Sequence, residues 1–311
     1  MTRSRVLNAV RYGLLVVILV AVGWALARNW TEVSGELGRM SVGALLAGLV
    51  LTTGAPVFTL LGWRVLLADL GSPLPAAPAA SVFFVGQLGK YVPGSVWTVF
   101  AQAEMGTRLG VPRRRMAVTG LLSIGLAILC GSLLGVVALP RLVARGSSPV
   151  TAWVVVAAVL VGGVLLWPRL LNALVALGLR ILRRDPLEHA LGGRAVLVTC
   201  VWFLAAWVSA GAGVAVLVRA VQPAAGATDL AVAAVCGFAL ASAAGQLSVL
   251  VPAGVGVRDG VLALLLVTFM PLSAATAVVV VARFLAVVSD LLVAGGGWAW
   301  GRRHHLLGSQ G

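Results

Sequence analysis

Gly86-Gln87-Leu88-Gly89-Lys90-Tyr91-Val92-Pro93-Gly94-Ser95-Val96 returns in outline 159 residues later as Gly245-Gln246-Leu247-Ser248-Val249-Leu250-Val251-Pro252-Ala253-Gly254-Val255, with six of eleven positions identical. The same offset carries Pro112 onto Pro271 without a gap. Both copies put Gly and Pro in the middle of an apolar stretch, where a membrane helix would otherwise run unbroken. Hydrophobic segments interrupted in this way, one in each half of a chain, point to the binding site of many transporters. The repeat leads us to expect a membrane translocator built from two related halves.

Composition supports the membrane part of that expectation. Of the 311 residues, 60% are hydrophobic and only 10% charged, and the mean hydropathy is +1.06. A soluble domain needs far more polar surface, so the chain reads as a single polytopic all-α membrane domain over 1–311. The net charge of +14 would suggest nucleic acid in a soluble protein. Here the arginines cluster at segment ends, where they act as orientation signals and anionic-lipid contacts, and no nucleic-acid partner is expected. Cys130, Cys200 and Cys236 fall inside apolar stretches without C-x-x-C spacing and read as inert buried thiols.

Apolar runs, measured against the roughly 20 residues that span a bilayer, give spanning helices at 12–28, 41–68, 116–139, 150–167, 195–218 and 272–300. Interrupted segments occupy 79–106 and 230–269. The first run follows Arg3, Arg5 and Arg11 and ends in Ala25-Leu26-Ala27, a possible signal-peptidase site; an uncleaved helix is the preferred reading. Between 79 and 106 each apolar piece is about 12 residues, about 18 Å of helix and too short for a ~30 Å core. With Lys90 and Pro93-Gly94 between them, they read as a re-entrant hairpin. In the second segment 229–249 is long enough to span alone, so a full helix with a short return is the competing reading. The stretch 168–184 reads as an amphipathic helix on the cytoplasmic face.

Charge sets the expected orientation. The N-terminus, the 108–115 loop, the 168–194 connection and Arg302-Arg303 hold most of the arginines and would be cytoplasmic; Arg141 and Arg145 are the discordant patch. Both termini would then lie in the cytoplasm of a bacterial-type cell membrane. The halves, 1–140 and 150–300, each read helix, helix, hairpin, helix. With three spanning helices per half they would be inverted repeats, the hairpins entering from opposite faces.

Charged side chains at membrane depth are functional candidates by default. Lys90, the single lysine, stands at the first hairpin tip beside Gly89 and Gly94 and would bind a lipid phosphate, unless it snorkels to the headgroups. Glu104 would pair with Lys90 or an arginine, or lie at the interface. Arg64 reads as an interface anchor or a headgroup contact at the cavity mouth. Arg258-Asp259, just past Pro252, Gly254 and Gly256, suits ligand binding or an internal gate, or a local salt bridge. Arg283 and Asp290, seven apart, share a helix face and would point inward, toward each other's surroundings or Arg258-Asp259. Gln87 and Gln246 are repeat equivalents that would bind a headgroup or join the broken backbones. His189, His304 and His305 lie in charged loops and no acidic pair has metal-ligand spacing, so no catalytic site, metal or cofactor is expected.

The stretch from Gly89 to Trp97, followed by Arg108-Leu109-Gly110-Val111, resembles the first signature of the lysylphosphatidylglycerol synthase/flippase transmembrane family. Val251 to Gly260, then Arg283 and Asp290, resembles its second, and Trp63-Arg64 resembles its pair after the second helix. The resemblance covers nearly the whole chain. It implies movement of lipid-linked cargo across the bilayer, such as aminoacylated phospholipids or polyprenyl-phosphate-linked sugars. The sequence departs from the family's pattern in having no Gly-Glu after the first Pro and Asp259 in place of the usual Glu, and no soluble aminoacyl-transferase domain is expected within residues 1–311.

The expectation is a flippase-like translocator, not an enzyme, whose partner is a membrane lipid: an anionic phospholipid or a polyprenyl-phosphate-linked substrate. The alternatives are an integral-membrane component of a polyprenyl-phosphate glycosyltransferase system, or a small-solute transporter.

Overall fold

Antiparallel packing of two long apolar helices organises the computed structural model, which describes residues 30–91, 97–139, 149–248, 254 and 256–303. The predicted segment 12–28 and most of the 140–149 loop lie outside the described residues. Eleven helices are described, and no strand is present among these residues. They are α1 (Trp30–Arg39), α2 (Val42–Asp69), α3 (Ala76–Gln87), α4 (Trp97–Thr107), α5 (Arg113–Gly135), α6 (Pro149–Leu165), α7 (Pro168–Ile181), α8 (Gly193–Val221), α9 (Ala227–Leu247), α10 (Val257–Leu266) and α11 (Leu272–Arg303).

Among them α2, α5, α8, α9 and α11 are long and apolar enough to cross a membrane, and the bent pair α6–α7 would make a sixth crossing. The protein is therefore an all-α, multi-pass membrane protein. Leu46, Val50, Leu121, Leu197, Val201, Phe284 and Leu291 point outward from these helices, as suits a surface solvated by hydrocarbon rather than water.

In α2 and α8, Ser209 donates to the Leu51 carbonyl at 2.6 Å and Thr199 donates to the Gly62 carbonyl at 3.3 Å. The two sequences thus run in opposite directions. Small residues let the backbones approach and hydroxyls join them, the usual means of helix association in lipid. Pro56 lies inside α2, removing the bond the Thr52 carbonyl would accept. Thr53 and Thr59 donate back to the carbonyls of Leu49 and Ala55 at 2.7 and 2.8 Å, each satisfying its own hydroxyl inside the apolar helix.

Both interrupted segments form hairpins. In the first, α3 and α4 are 12 and 11 residues long, each too short to span. Gly86 faces Gln102 and Gly89 faces Thr98, so the arms are antiparallel. A methyl group on Gly89 would stand 2.6 Å from the Thr98 backbone nitrogen, and only glycine allows that approach. The second hairpin has unequal arms, as the competing reading expects. Its first arm, α9, has 21 residues, a full span, with a π-helical stretch at Leu230–Cys236, whereas α10 has 10. Continuous apolar helix up to Leu247 explains the length: the break comes only at the second copy of the repeated phrase. There Gly254 and Gly256 have φ of +64° and +83°, a backbone that β-carbon-bearing residues avoid.

The base of the first hairpin joins the end of α2 to the start of α5, while that of the second joins the end of α8 to the start of α11. Because α2 and α8 are antiparallel, the bases lie at opposite ends of the bundle and the tips approach each other. The first arms also cross over: α3 packs on α11, and α9 on α5.

Polar contacts stitch one end together. Arg115 donates to the Gly71 carbonyl and to Ser72 at 2.9 and 2.6 Å and pairs with Glu188 at 2.8 Å. Arg114 donates to the Asp185 carbonyl at 2.8 Å, and Asp69 accepts from Gly192 N–H at 2.7 Å. The 108–115 and 168–194 regions therefore share an end. Met40, Val221, Ala225 and Met270 form one apolar cluster at the other. Helix α7 turns 61° from the last turns of α6; Leu171 and Leu179 are buried while Leu174, Leu177 and Ile181 face outward, an amphipathic pattern. Between the first two predicted spans lies the helix α1, with Glu36 and Arg39 paired at 2.9 Å.

Candidate functional site

The two hairpin tips and the middle of α11 meet around a cavity of about 320 Å³. From the first hairpin come Gln87, Lys90 and Tyr91; from the second, Gln246, Ser248, Gly254 and Arg258; from α11, Arg283 and Asp290. Thr52, Pro56 and Thr59 of α2 line another wall. Each repeated phrase thus brings its glutamine to the same space. An unbroken helix would carry those groups past the cavity instead of ending at it.

Lys90 is bound to Asp290, 200 residues away: Lys90 Nζ lies 2.8 Å from Oδ1 and 2.7 Å from Oδ2. Tyr91 donates its hydroxyl to Asp290 Oδ2 at 2.5 Å. The carboxylate side chain is 11% exposed and that of Lys90 37%, so the pair is shielded on the acid side and partly open on the ammonium side. A charge-assisted bond of this kind is stronger than a neutral one, and loss of either partner strands the other charge at low dielectric. The hydrogen bonds of Asp290 go to the first hairpin, while Arg258 of the second is its electrostatic neighbour. The helix carries Asp290 toward the tip of α3, which packs along α11.

Arg258 lies over the Phe238 ring at 4.6 Å, and Arg283, Asp259, Asp290 and Tyr91 are its electrostatic neighbours. It is Asp259 that departs from expectation. Its carboxylate accepts from Gly256 N–H at 3.1 Å, capping the first turn of α10, and it is absent from the cavity lining. The Arg258-Asp259 pair is divided between the cavity and a helix cap because adjacent helical residues point about 100° apart.

Two other candidates stand outside the cavity. Glu104 pairs with Arg113 at 2.9 Å, both about half exposed, and not with Lys90; α4 carries it away from the tip toward the base of the hairpin. Arg64 donates to the Leu74 carbonyl at 3.2 Å, holding the turn between α2 and α3 rather than a cavity mouth. Of the break residues, Gly89 supports the close crossing of the arms and Gly254 and Gly256 the left-handed turn; Pro93, Gly94 and Pro252 lie outside the described residues.

Several lining groups carry no sequence signal beyond being polar in an apolar run. Gln102 is buried and faces Gly86. Trp63 Nε1, Ser242 Oγ and Ser289 Oγ are buried without a hydrogen-bond partner among the described residues, and all three residues line the cavity. Tyr91 stands within the first repeated phrase, yet its bond to Asp290 depends on a helix 199 positions away.

Chemically, the described lining holds three cations (Lys90, Arg258, Arg283) against one carboxylate that is already engaged. An excess of fixed positive charge in a low-dielectric enclosure favours an anionic guest. No group of three metal-ligating side chains occurs among the described residues.

Comparison with known proteins bears on the same region. The family model described as lysylphosphatidylglycerol synthase TM region matches residues 11–294, a range that contains both hairpins, the cavity and the Lys90–Asp290 pair. No protein of curated function matches the chain.

Proposed function

The chain belongs to the lysylphosphatidylglycerol synthase transmembrane family, and from that premise we propose that it is a flippase-like translocator for a phosphate-bearing lipid headgroup. The observation that carries the reading is the convergence of Lys90, Arg258 and Arg283 on one cavity among spanning helices, with Asp290 as the sole carboxylate of the described lining. A phosphate entering it meets cations from both hairpins and from α11. Gln87 and Gln246 supply neutral donors, and the lipid tail remains in hydrocarbon.

In this reading the ion pair holds the first hairpin against α11 until an anionic headgroup competes with Asp290 for Lys90. The halves 1–140 and 150–300 act as inverted repeats. Support comes from the antiparallel α2 and α8, the opposite bases of the hairpins and the exchange in which α3 packs on α11 while α9 packs on α5. Rocking of one hairpin pair relative to the other would turn the cavity from one side to the other. The arginine-rich end, with 108–115 and 168–194, is the cytoplasmic one by the positive-inside rule, in a bacterial-type cell membrane.

The test is headgroup transfer in vesicles reconstituted with the purified protein. Lys90→Met and Arg283→Met, matched for expression and folding, are expected to abolish transfer of a fluorescent phosphatidylglycerol. Wild-type rates in both variants would overturn the assignment of the cavity.

A further inference from the structure

A second hollow, of about 470 Å³, runs along the seam between α3 and α11 and is lined by Phe84, Val293, Gly296, Gly297, Trp300 and Arg303, with Ala299 beside them. Val293 is also in the wall of the central cavity, so the two spaces share a lining residue. We propose that this groove is a loading lane in which one hydrocarbon chain of a phosphate-headed lipid lies before its headgroup enters the cavity; this rests on the translocator reading above.

Length, polarity and continuity each favour that occupant. From Val293 to Arg303 is ten residues of helix, about 15 Å, half of a ~30 Å hydrocarbon core and so the depth of one leaflet. The lining is apolar along that length and ends at Trp300 and Arg303, an aromatic and a cation of the kind found at headgroup level. A lipid standing in this leaflet places its phosphate at Arg303 and its chain along Gly296 and Gly297, reaching Val293. Beyond Val293 the wall changes to Asp290, Lys90 and the two arginines, so the phosphate exchanges one cationic site for another. Gly297 is where α11 touches α3: a methyl there would lie 3.1 Å from the Ala80 carbonyl oxygen and 3.3 Å from Phe84. Gly296 has nothing within 4 Å of an added Cβ, which is the open floor of the groove.

That open floor allows a clean perturbation. An added Cβ at Gly296 meets no atom within 4 Å, so Gly296→Leu is the variant chosen to fill the groove, and Gly295→Leu, whose Cβ is equally unobstructed but which is outside the lining, is its control. Full-length protein in nanodiscs is loaded with a phosphatidylglycerol whose acyl chain bears a photoactivatable group, and cross-links are mapped by mass spectrometry. Headgroup transfer in vesicles and binding of soluble glycerol 3-phosphate are measured on the same variants. We expect cross-links concentrated on Phe84, Val293 and Trp300, and transfer reduced by Gly296→Leu about tenfold or more, the weight of two excluded methylene groups. Glycerol 3-phosphate binding is unchanged in that variant, and Gly295→Leu behaves as wild type. If Gly296→Leu transfers normally while Lys90→Met does not, the cavity reading stands and the groove proposal falls. If glycerol 3-phosphate itself is transported and Gly296→Leu leaves that transport intact, the guest is a soluble ester and the groove has no part in loading. Cross-links spread evenly over the lipid-facing helices likewise overturn it, as annular lipid would give.

Discussion

Lys90 Nζ and Asp290 Oδ2, 2.7 Å apart, join the tip of the first hairpin to the middle of the last helix. The bond spans nearly two thirds of the sequence, and it is the one charged contact in the structure that ties a repeated phrase to the opposite half of the chain among the described salt bridges. Its energetic role differs from that of a surface pair because its carboxylate is shielded.

The pair predicts a particular pattern of stabilities. Lys90→Met and Asp290→Asn should each lower the melting temperature in detergent, because each leaves a charge without its partner. The double variant should recover part of the loss, with a coupling of about 1 to 3 kcal/mol in a double-mutant cycle. Additive losses would mean that the two charges are stabilised by other groups.

Tyr91→Phe removes one bond to Asp290 and leaves the ammonium in place. Its expected loss is smaller than that of Lys90→Met, about 1.5 to 3 kcal/mol for a hydrogen bond to a charged group. Equilibrium unfolding of the two variants in one detergent checks the ranking.

Glu104→Gln should do little. The Arg113–Glu104 pair is exposed on both sides, and such pairs contribute about 0 to 1 kcal/mol. Stability and headgroup transfer are both expected within error of wild type, in contrast to any change at Asp290.

The hairpin crossings give a steric prediction. Gly89→Ala forces the backbones of α3 and α4 apart at the Thr98 nitrogen, and Gly254→Ala adds a left-handed backbone to a 2.9 Å approach to Gly245. Gly110→Ala, also left-handed but with open space around it, carries only the conformational penalty, about 1 kcal/mol. Size-exclusion profiles and limited proteolysis should show the first two variants opened at the hairpins and Gly110→Ala intact.

Glu104 and Arg64 show where a sequence reading of the site reaches its limit. Both are charges near membrane depth, and both find partners at a hairpin base or an interhelix turn. Depth can be counted along a helix, but the direction a side chain faces is set by which helix lies beside it. Asp259 gives the same lesson over one residue: its neighbour Arg258 faces the cavity while it caps α10.

The sequence by itself determined that this chain is an all-α membrane protein broken twice at matching phrases, because hydrocarbon leaves a backbone no choice but helix and makes every Gly/Pro interruption visible. It also identified all four charges of the described cavity lining, since a charge in an apolar run is conspicuous wherever it lies. Tertiary structure alone decided that Asp290 belongs to Lys90 and Tyr91, and that Val293 borders both a charged cavity and an apolar groove. Those are properties of surfaces brought together from positions up to 200 residues apart, and local periodicity carries no record of which surfaces meet.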